Sequence, residues 1–177
     1  MEHYAGAQLC RSIYGFEPEY YRGPGLVEKE QDILDLSLIR NLAEKGISFA
    51  VLSGRIPEEA DYLFRKTGLE SFLRPEFVIT DDGTLPGKPD PTGLQRLADK
   101  MKFRAGIYVG DVPDDWTTVE NYRRQNPPGP PIACCMVQTG STSTELMSEF
   151  YAESEVDYLA ADVNYLLTAM AQVSKPG

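Results

Sequence analysis

No stretch of this 177-residue chain approaches the roughly 18 consecutive apolar residues that a membrane span requires, although 42% of its residues are hydrophobic. The first residues, Met1-Glu2-His3-Tyr4-Ala5-Gly6, carry no basic region leading into an apolar one, so no secretory leader is expected. Positive charge is also scarce. Seventeen Lys plus Arg stand against 27 Asp plus Glu, for a formal charge of -10. Such a surface repels nucleic acid and anionic membranes, and a phosphate-bearing ligand would need a locally positive pocket or a metal. There are only three cysteines, Cys10, Cys134 and Cys135. Two are adjacent inside an apolar run, which suits neither a disulfide framework nor a spaced zinc site. They read as reduced core residues of a soluble, cytoplasmic protein. The length suits one sizeable core, and no internal repeat or interior linker divides it.

What is present is an alternation of two periods. Residues 1–28 mix tyrosines with glycines and prolines and support short helical turns at most. From Lys29 through Ile33, Leu34, Leu36, Leu38, Ile39 and Leu42 the spacing predicts a helix, closed by Lys45 and Gly46. Ile47 to Leu52 is apolar at nearly every position, as in a strand covered on both faces, and it ends at Ser53-Gly54-Arg55. Pro57 with Glu58 and Glu59 opens a second helix, which Gly68 stops. Phe77 to Thr80 is a strand, and a turn-rich loop follows it. Lys88-Pro89-Asp90-Pro91 leads into a helix through Leu94, Leu97, Ala98 and Met101. Ala105 to Val109 is a third strand, and a helix from about Asp115 to Arg124 places Arg123 and Arg124 near its negative end.

Asn126 to Pro131 is a stiff connection to a fourth strand, Ile132 to Val137. Thr142 and Glu145 fit a capping box for a helix through Phe150. Val156 to Ala160 forms a last short strand, and Asp162 caps a final helix containing Leu166, Leu167 and Met170. Strands alternating with helices of this length predict an α/β fold, a parallel sheet sandwiched between helices in three layers.

In such a sheet the functional loops gather at the carboxyl ends of the strands, so Ser53, Lys88 and the acids of Gly110-Asp111-Val112-Pro113-Asp114-Asp115 can converge. Taken singly, Ser53 suits a turn and Lys88 a solvated surface. Together they have complementary chemistry. A serine hydroxyl with neighbouring amides holds a phosphate oxygen, a lysine supplies a compact positive charge, and clustered carboxylates repel one another unless a hard cation sits between them.

In order and spacing these segments resemble the haloacid dehalogenase-like hydrolases, the subfamily with a helical cap between its first and second motifs. Val51-Leu52-Ser53-Gly54-Arg55 resembles the second motif, Gly87-Lys88-Pro89-Asp90-Pro91 the third, and Val109-Gly110-Asp111-Val112-Pro113-Asp114-Asp115 the fourth. The resemblance spans roughly residues 25–170. It implies a Rossmann-like core over residues 29–177 and a magnesium-dependent phosphatase acting on a small phosphorylated metabolite. Ser53, Gly54, Arg55 and Lys88 would then hold the substrate phosphate, with Ser53 and Lys88 also serving catalysis. Asp111 would be the main magnesium ligand. Asp115 would ligate through water or orient Lys88, with Asp114 its substitute.

One part of that pattern is missing. The family's first motif, Asp-x-Asp-Gly-Thr or Val, supplies the nucleophile and general acid at the end of a central strand, and no such segment precedes Ser53. Thr80-Asp81-Asp82-Gly83-Thr84 has a similar composition but lies between the second and third motifs, where the family has a variable loop. Residues 1–28 are therefore expected to be the remnant of the cap, and the chain to be truncated and incomplete or inactive as an enzyme on its own. The alternative is a degenerate, non-catalytic binding module. Without its first strand the sheet would leave the strands ending at Ser53 and Asp111 unpaired between them. Direct pairing, a strand from residues 1–28, a second copy in a homodimer, or a complementing polypeptide would have to close the gap.

Overall fold

The computed structural model describes residues 1–29, 33–125, 128–139 and 156–173. Helices α1 (Glu2–Ser12) and α2 (Leu26–Lys29) form an amino-terminal unit. The alternating part follows as α3 (Leu36–Glu44), β1 (Phe49–Leu52), α4 (Pro57–Thr67), a 3-10 turn (Leu69–Phe72), β2 (Leu73–Ile79), α5 (Thr92–Met101), β3 (Gly106–Gly110), α6 (Pro113–Gln125), β4 (Ile132–Val137), β5 (Tyr158–Ala160) and α7 (Val163–Val173). The helix expected from Thr142 to Phe150 lies outside the described residues, as do Asn126 and Pro127.

Local chemistry accounts for most boundaries. Pro57 opens α4, and Gly68 ends it in the left-handed conformation at φ 76°. Asp162 accepts the Tyr165 amide at 2.8 Å and caps α7. The helix expected from Lys29 begins later. Asp35 accepts the Ser37 amide at 2.8 Å, so it caps α3 and leaves Ile33 and Leu34 outside the helix. Arg123 does more than face a helix end. It donates to the Ile132 carbonyl at 2.8 and 3.1 Å and pairs with Asp157.

The parallel sheet is present in two pieces, β1 with β2 and β3 with β4 with β5. Alternate residues of β4 sort the helices into layers. Ile132, Cys134 and Met136 pack with Leu94 and Ala98 of α5 and Val119 and Tyr122 of α6. Cys135 and Val137 face Leu166 of α7 on the other side. Leu167 of α7 meets Ile39 and Leu42 of α3, whose cluster also takes in Phe49 of β1. Both helix layers thus bridge the two sheet pieces.

Leu52 identifies β1 as the strand nearer β3. It packs against the cluster shared with β4 and against the cluster of Phe77, Ile79 and Leu97, whereas Phe77 and Ile79 of β2 belong only to the latter. Gly93 of α5 makes this passage possible, since a Cβ there would lie 2.6 Å from Leu52 Cδ1. Among the described residues β1 and β3 are not paired with each other, and residues 1–28 contribute no strand between them. Nor is β1 covered on both faces as its apolar run predicts. Ala50 is exposed and the other three residues are half-buried.

The amino-terminal unit packs on α4. Ala5, Leu9, Cys10 and Val27 cluster against Tyr62 and Leu63, and Lys66 donates to the Val27 carbonyl at 2.9 Å. Its two halves touch at Gly6 and Gly25, where a Cβ on Gly6 would lie 2.2 Å from the Gly25 nitrogen. All three cysteines are free and buried, and burial pushes the Cys134 thiol up to about 12, which keeps it protonated at neutral pH.

Asp157 ties β5 to its neighbours by accepting the Cys134 amide at 2.7 Å and the Arg123 guanidinium. Burial acts to raise its carboxyl, but these donors outweigh burial and hold it below the usual range. Because the folded value is the lower one, the stabilisation is present above the unfolded value of about 3.9 and is lost as pH falls through the folded one. Asp157→Asn is expected to lower the urea midpoint at pH 7, with the difference from the parent protein shrinking below about pH 4. A pH-independent difference would assign the effect to packing alone.

Candidate functional site

The site is built around the Asp115 carboxylate at the start of α6. Asp115 is 3% exposed, so its charge must be met by donors from the protein. Lys88 Nζ and the Tyr108 hydroxyl donate to Oδ1 at 2.6 and 2.9 Å, and the amides of Asp111 and Val112 donate to Oδ2 at 3.0 and 3.2 Å. Two donors on each oxygen occupy about the four lone-pair positions of a carboxylate. Asp115 therefore has its acceptor capacity filled by lysine, phenol and backbone.

Gly110 makes that arrangement possible. The Asp115 side chain folds back over the end of β3, and a Cβ on residue 110 would lie 2.3 Å from Asp115 Cβ. The loop that carries Lys88 is fixed independently. The Asp90 amide donates to the Gly87 carbonyl at 3.0 Å, Asp90 accepts the Thr92 amide at 2.9 Å, and Asn121 of α6 donates to the Pro89 carbonyl at 2.9 Å. The Lys88–Pro89 peptide bond is cis. Lys88 and Asp115 form an ion pair with side-chain exposures of 21% and 4%, leaving the ammonium the more accessible partner.

Ser53 follows β1 directly and its amide donates to the Ile79 carbonyl at 2.9 Å, continuing the β1–β2 pairing. Its Oγ accepts the Arg55 amide at 3.2 Å, closing the turn. Ser53, Gly54 and Lys88 line one recess of ≈ 30 Å³ together with Leu52, Thr80 and Asp81. The structure thus brings Ser53 and Gly54 to Lys88, and Lys88 to Asp115. Arg55 points elsewhere, with its guanidinium hydrogen-bonded to the Tyr4 hydroxyl and 5.7 Å from the centre of that ring. Asp111 is half-buried with its amide on Asp115, and Asp114 is exposed on the first turn of α6. In the loop of similar composition, Asp82 accepts both the amide and the hydroxyl of Thr84, at 2.9 and 2.6 Å. Its Oδ1 is thus engaged in its own turn.

Tyr108 is the functional residue that the strand pattern does not single out. It occupies an apolar position of β3, and its hydroxyl reaches the carboxylate that holds Lys88. Burial, followed by the Asp115 charge and hydrogen bond, pushes its phenol well above the ordinary value, so it remains a neutral donor. A phenol among aliphatic strand residues was the available signal, since a buried tyrosine hydroxyl needs a partner.

The donor set bears on a metal. Among the described residues no group of three or more His, Cys, Asp or Glu side chains is arranged to hold one. Magnesium commonly retains several waters and takes one or two carboxylates plus substrate phosphate. Asp111 fits that less demanding role, whereas the oxygens of Asp115 are engaged.

A profile of the haloacid dehalogenase-like hydrolases matches residues 29–119, which covers β1, β2, β3 and the start of α6. No curated protein matches the chain. Among solved structures, an X-ray structure of a Northeast Structural Genomics Consortium target superposes with a TM-score of 0.70 at 17% identity, covering 97% of this chain and 51% of that one. The phosphatase Tt82 from Thermococcus thioreducens gives a TM-score of 0.58 at 24% identity, covering 94% of this chain and 64% of that one. The chain therefore spans about half to two thirds of the length of these similarly folded proteins.

Two substitutions test the geometry without reference to activity. Tyr108→Phe removes a hydrogen bond to a charged group and is expected to cost about 1.5–3 kcal/mol in urea unfolding. Gly110→Ala forces Asp115 aside and is expected to cost about 1–3 kcal/mol, with shifted amide resonances at Asp111 and Val112. Unchanged stability and unchanged resonances in both variants would contradict the arrangement around Asp115.

Proposed function

The chain belongs to the haloacid dehalogenase-like hydrolases, and from that premise we propose that it is the phosphate-gripping part of a magnesium-dependent phosphohydrolase that lacks the attacking carboxylate. One observation carries the reading: Lys88 is held by buried Asp115 while it lines the same recess as Ser53. The Ser53 hydroxyl can donate to a phosphate oxygen. The Lys88 ammonium has three donors and Asp115 takes one, which leaves donors directed to an anion. Of the two roles expected of Asp115, orientation of Lys88 suits its four hydrogen bonds, and magnesium falls to Asp111 with water and the phosphate itself. Bound there, the metal would neutralise phosphate charge. Arg55, engaged with Tyr4, is assigned to holding the amino-terminal unit against the site rather than to the phosphate.

The substrate class is a small phosphorylated metabolite in the cytoplasm, and residues 1–28 belong to the cap that would select it. No Asp-x-Asp segment lies within residues 1–52, and in this reading Ser53, Lys88 and Asp111 bind without supplying the nucleophile or the general acid for the leaving alcohol. Hydrolysis by these residues alone is not expected. The second reading, a non-catalytic binding module, is favoured by the facing edges of β1 and β3, which no described strand pairs.

The reading separates binding from turnover. Inorganic phosphate with magnesium, titrated against the chain and followed by the resonances of Ser53 and Lys88, is expected to shift both, with affinity falling at least about tenfold in Lys88→Gln and Asp111→Asn. Hydrolysis of an aryl phosphate is expected to stay at background in the parent chain and in Asp111→Asn alike. No shift with phosphate would sink the phosphate-gripping role; turnover abolished by Asp111→Asn would show that the chain is complete.

A further inference from the structure

The turn after β1 is held by its backbone and, separately, by one side chain. The Ser53 amide donates to the Ile79 carbonyl and the Asp81 amide to the Arg55 carbonyl, each at 2.9 Å, so the β1–β2 pairing continues past the ends of both strands. Within the turn, the Arg55 amide donates to Ser53 Oγ at 3.2 Å. The Arg55 backbone thus links Ser53 to Asp81, two residues that line the recess with Lys88. That link also sets the polarity of the serine. A hydroxyl has one proton and two acceptor positions, and the Arg55 amide fills one of the acceptor positions. The Ser53 proton is left to be donated elsewhere, as a phosphate oxygen requires.

The Arg55 side chain leaves the sheet for the amino-terminal unit. Its guanidinium donates to the Tyr4 hydroxyl and lies 5.7 Å from the centre of the Tyr4 ring. Tyr4 is itself seated. It packs on α1 with the cluster of Ala5, Leu9, Cys10 and Val27, which Tyr62 and Leu63 of α4 also join. Helix α4 begins at Pro57, two residues after Arg55. One helix therefore carries both partners, Arg55 through the turn that leads into it and Tyr4 through the unit packed on its side.

We propose that Tyr4 is a positioning residue for the phosphate site: by holding the Arg55 guanidinium it keeps the Arg55 backbone where its amide orients Ser53 Oγ and its carbonyl secures Asp81. The proposal rests on the phosphate-binding reading for its ligand. Tyr4 acts through Arg55 and not on the phosphate itself. A contact that only fastened the amino-terminal unit to the core would contribute stability and leave the recess as it is. A contact that runs through Arg55 to Ser53 is instead coupled to the ligand, and the coupling must pass through the serine hydroxyl.

The test is a titration of the full chain with inorganic phosphate in the presence of magnesium, followed by the Lys88 and Asp81 resonances, in the parent protein, Tyr4→Phe, Ser53→Ala and the double variant. Tyr4→Phe keeps the ring and removes the acceptor. It is expected to shift the Arg55 and Asp81 amide resonances before phosphate is added and to weaken phosphate at least about fivefold. In the Ser53→Ala background the same change is expected to add no further loss, because the hydroxyl it orients is already gone. Arg55→Gln reaches the same link from the other side and is expected to reproduce the loss, without adding to it when combined with Tyr4→Phe. Parent-like affinity in Tyr4→Phe and Arg55→Gln would overturn the proposal. So would an equal loss with and without the Ser53 hydroxyl, which would assign the contact to fastening the amino-terminal unit alone. Phosphate that fails to bind the parent chain would overturn the phosphate-binding reading and this proposal with it, whereas phosphate that binds the parent and Tyr4→Phe alike would overturn this proposal only.

Discussion

A single buried carboxylate holds the candidate site together. Asp115 draws Lys88 from the loop after β2, the phenol of Tyr108 from β3, and two amides from the turn between β3 and α6. A charge this deeply buried is tolerated only when its lone pairs are filled, so removing any one donor affects the placement of the others. The constraint reaches into the backbone as well. Residue 110 must be glycine because the carboxylate group lies where a Cβ would be. The lysine that faces the recess is thus positioned by a network whose other members never reach it.

The same loops sit over a division in the sheet. Helices α5 and α6 on one face and α3 and α7 on the other join β1–β2 to β3–β4–β5, although among the described residues β1 and β3 do not pair with each other. Ser53 belongs to one piece and Asp111 and Asp115 to the other, with Lys88 spanning them. The candidate groups of the two pieces are therefore linked through Lys88.

Much of this was legible in the sequence where the signal is local. Gly68 after the last apolar position of α4, Asp162 before α7, and the uninterrupted apolar run of β4 each state their structure directly. The start of α3 was not, because Ile33 and Leu34 continue the helical spacing past the point where Asp35 caps it. The site divides in the same way. The spacing of Ser53, Lys88 and Asp111 brings three loops together and favours Asp115 with Asp114 as its substitute. The fold of the side chain back over Gly110 distinguishes them. Arg55 and Tyr108 depended on contacts distant in sequence or hidden by residue type, the first turned aside by Tyr4 and the second hidden in an apolar strand.

The central claim is that Asp115 holds Lys88 in place to receive a phosphate across the divided sheet. A crystal structure of the chain grown with magnesium and orthovanadate tests it most directly. The account predicts the oxyanion within hydrogen-bond distance of Ser53 Oγ and Lys88 Nζ, magnesium beside Asp111, and the Lys88–Asp115 pair intact. An oxyanion bound elsewhere, or Lys88 released from Asp115 to reach it, would contradict the account.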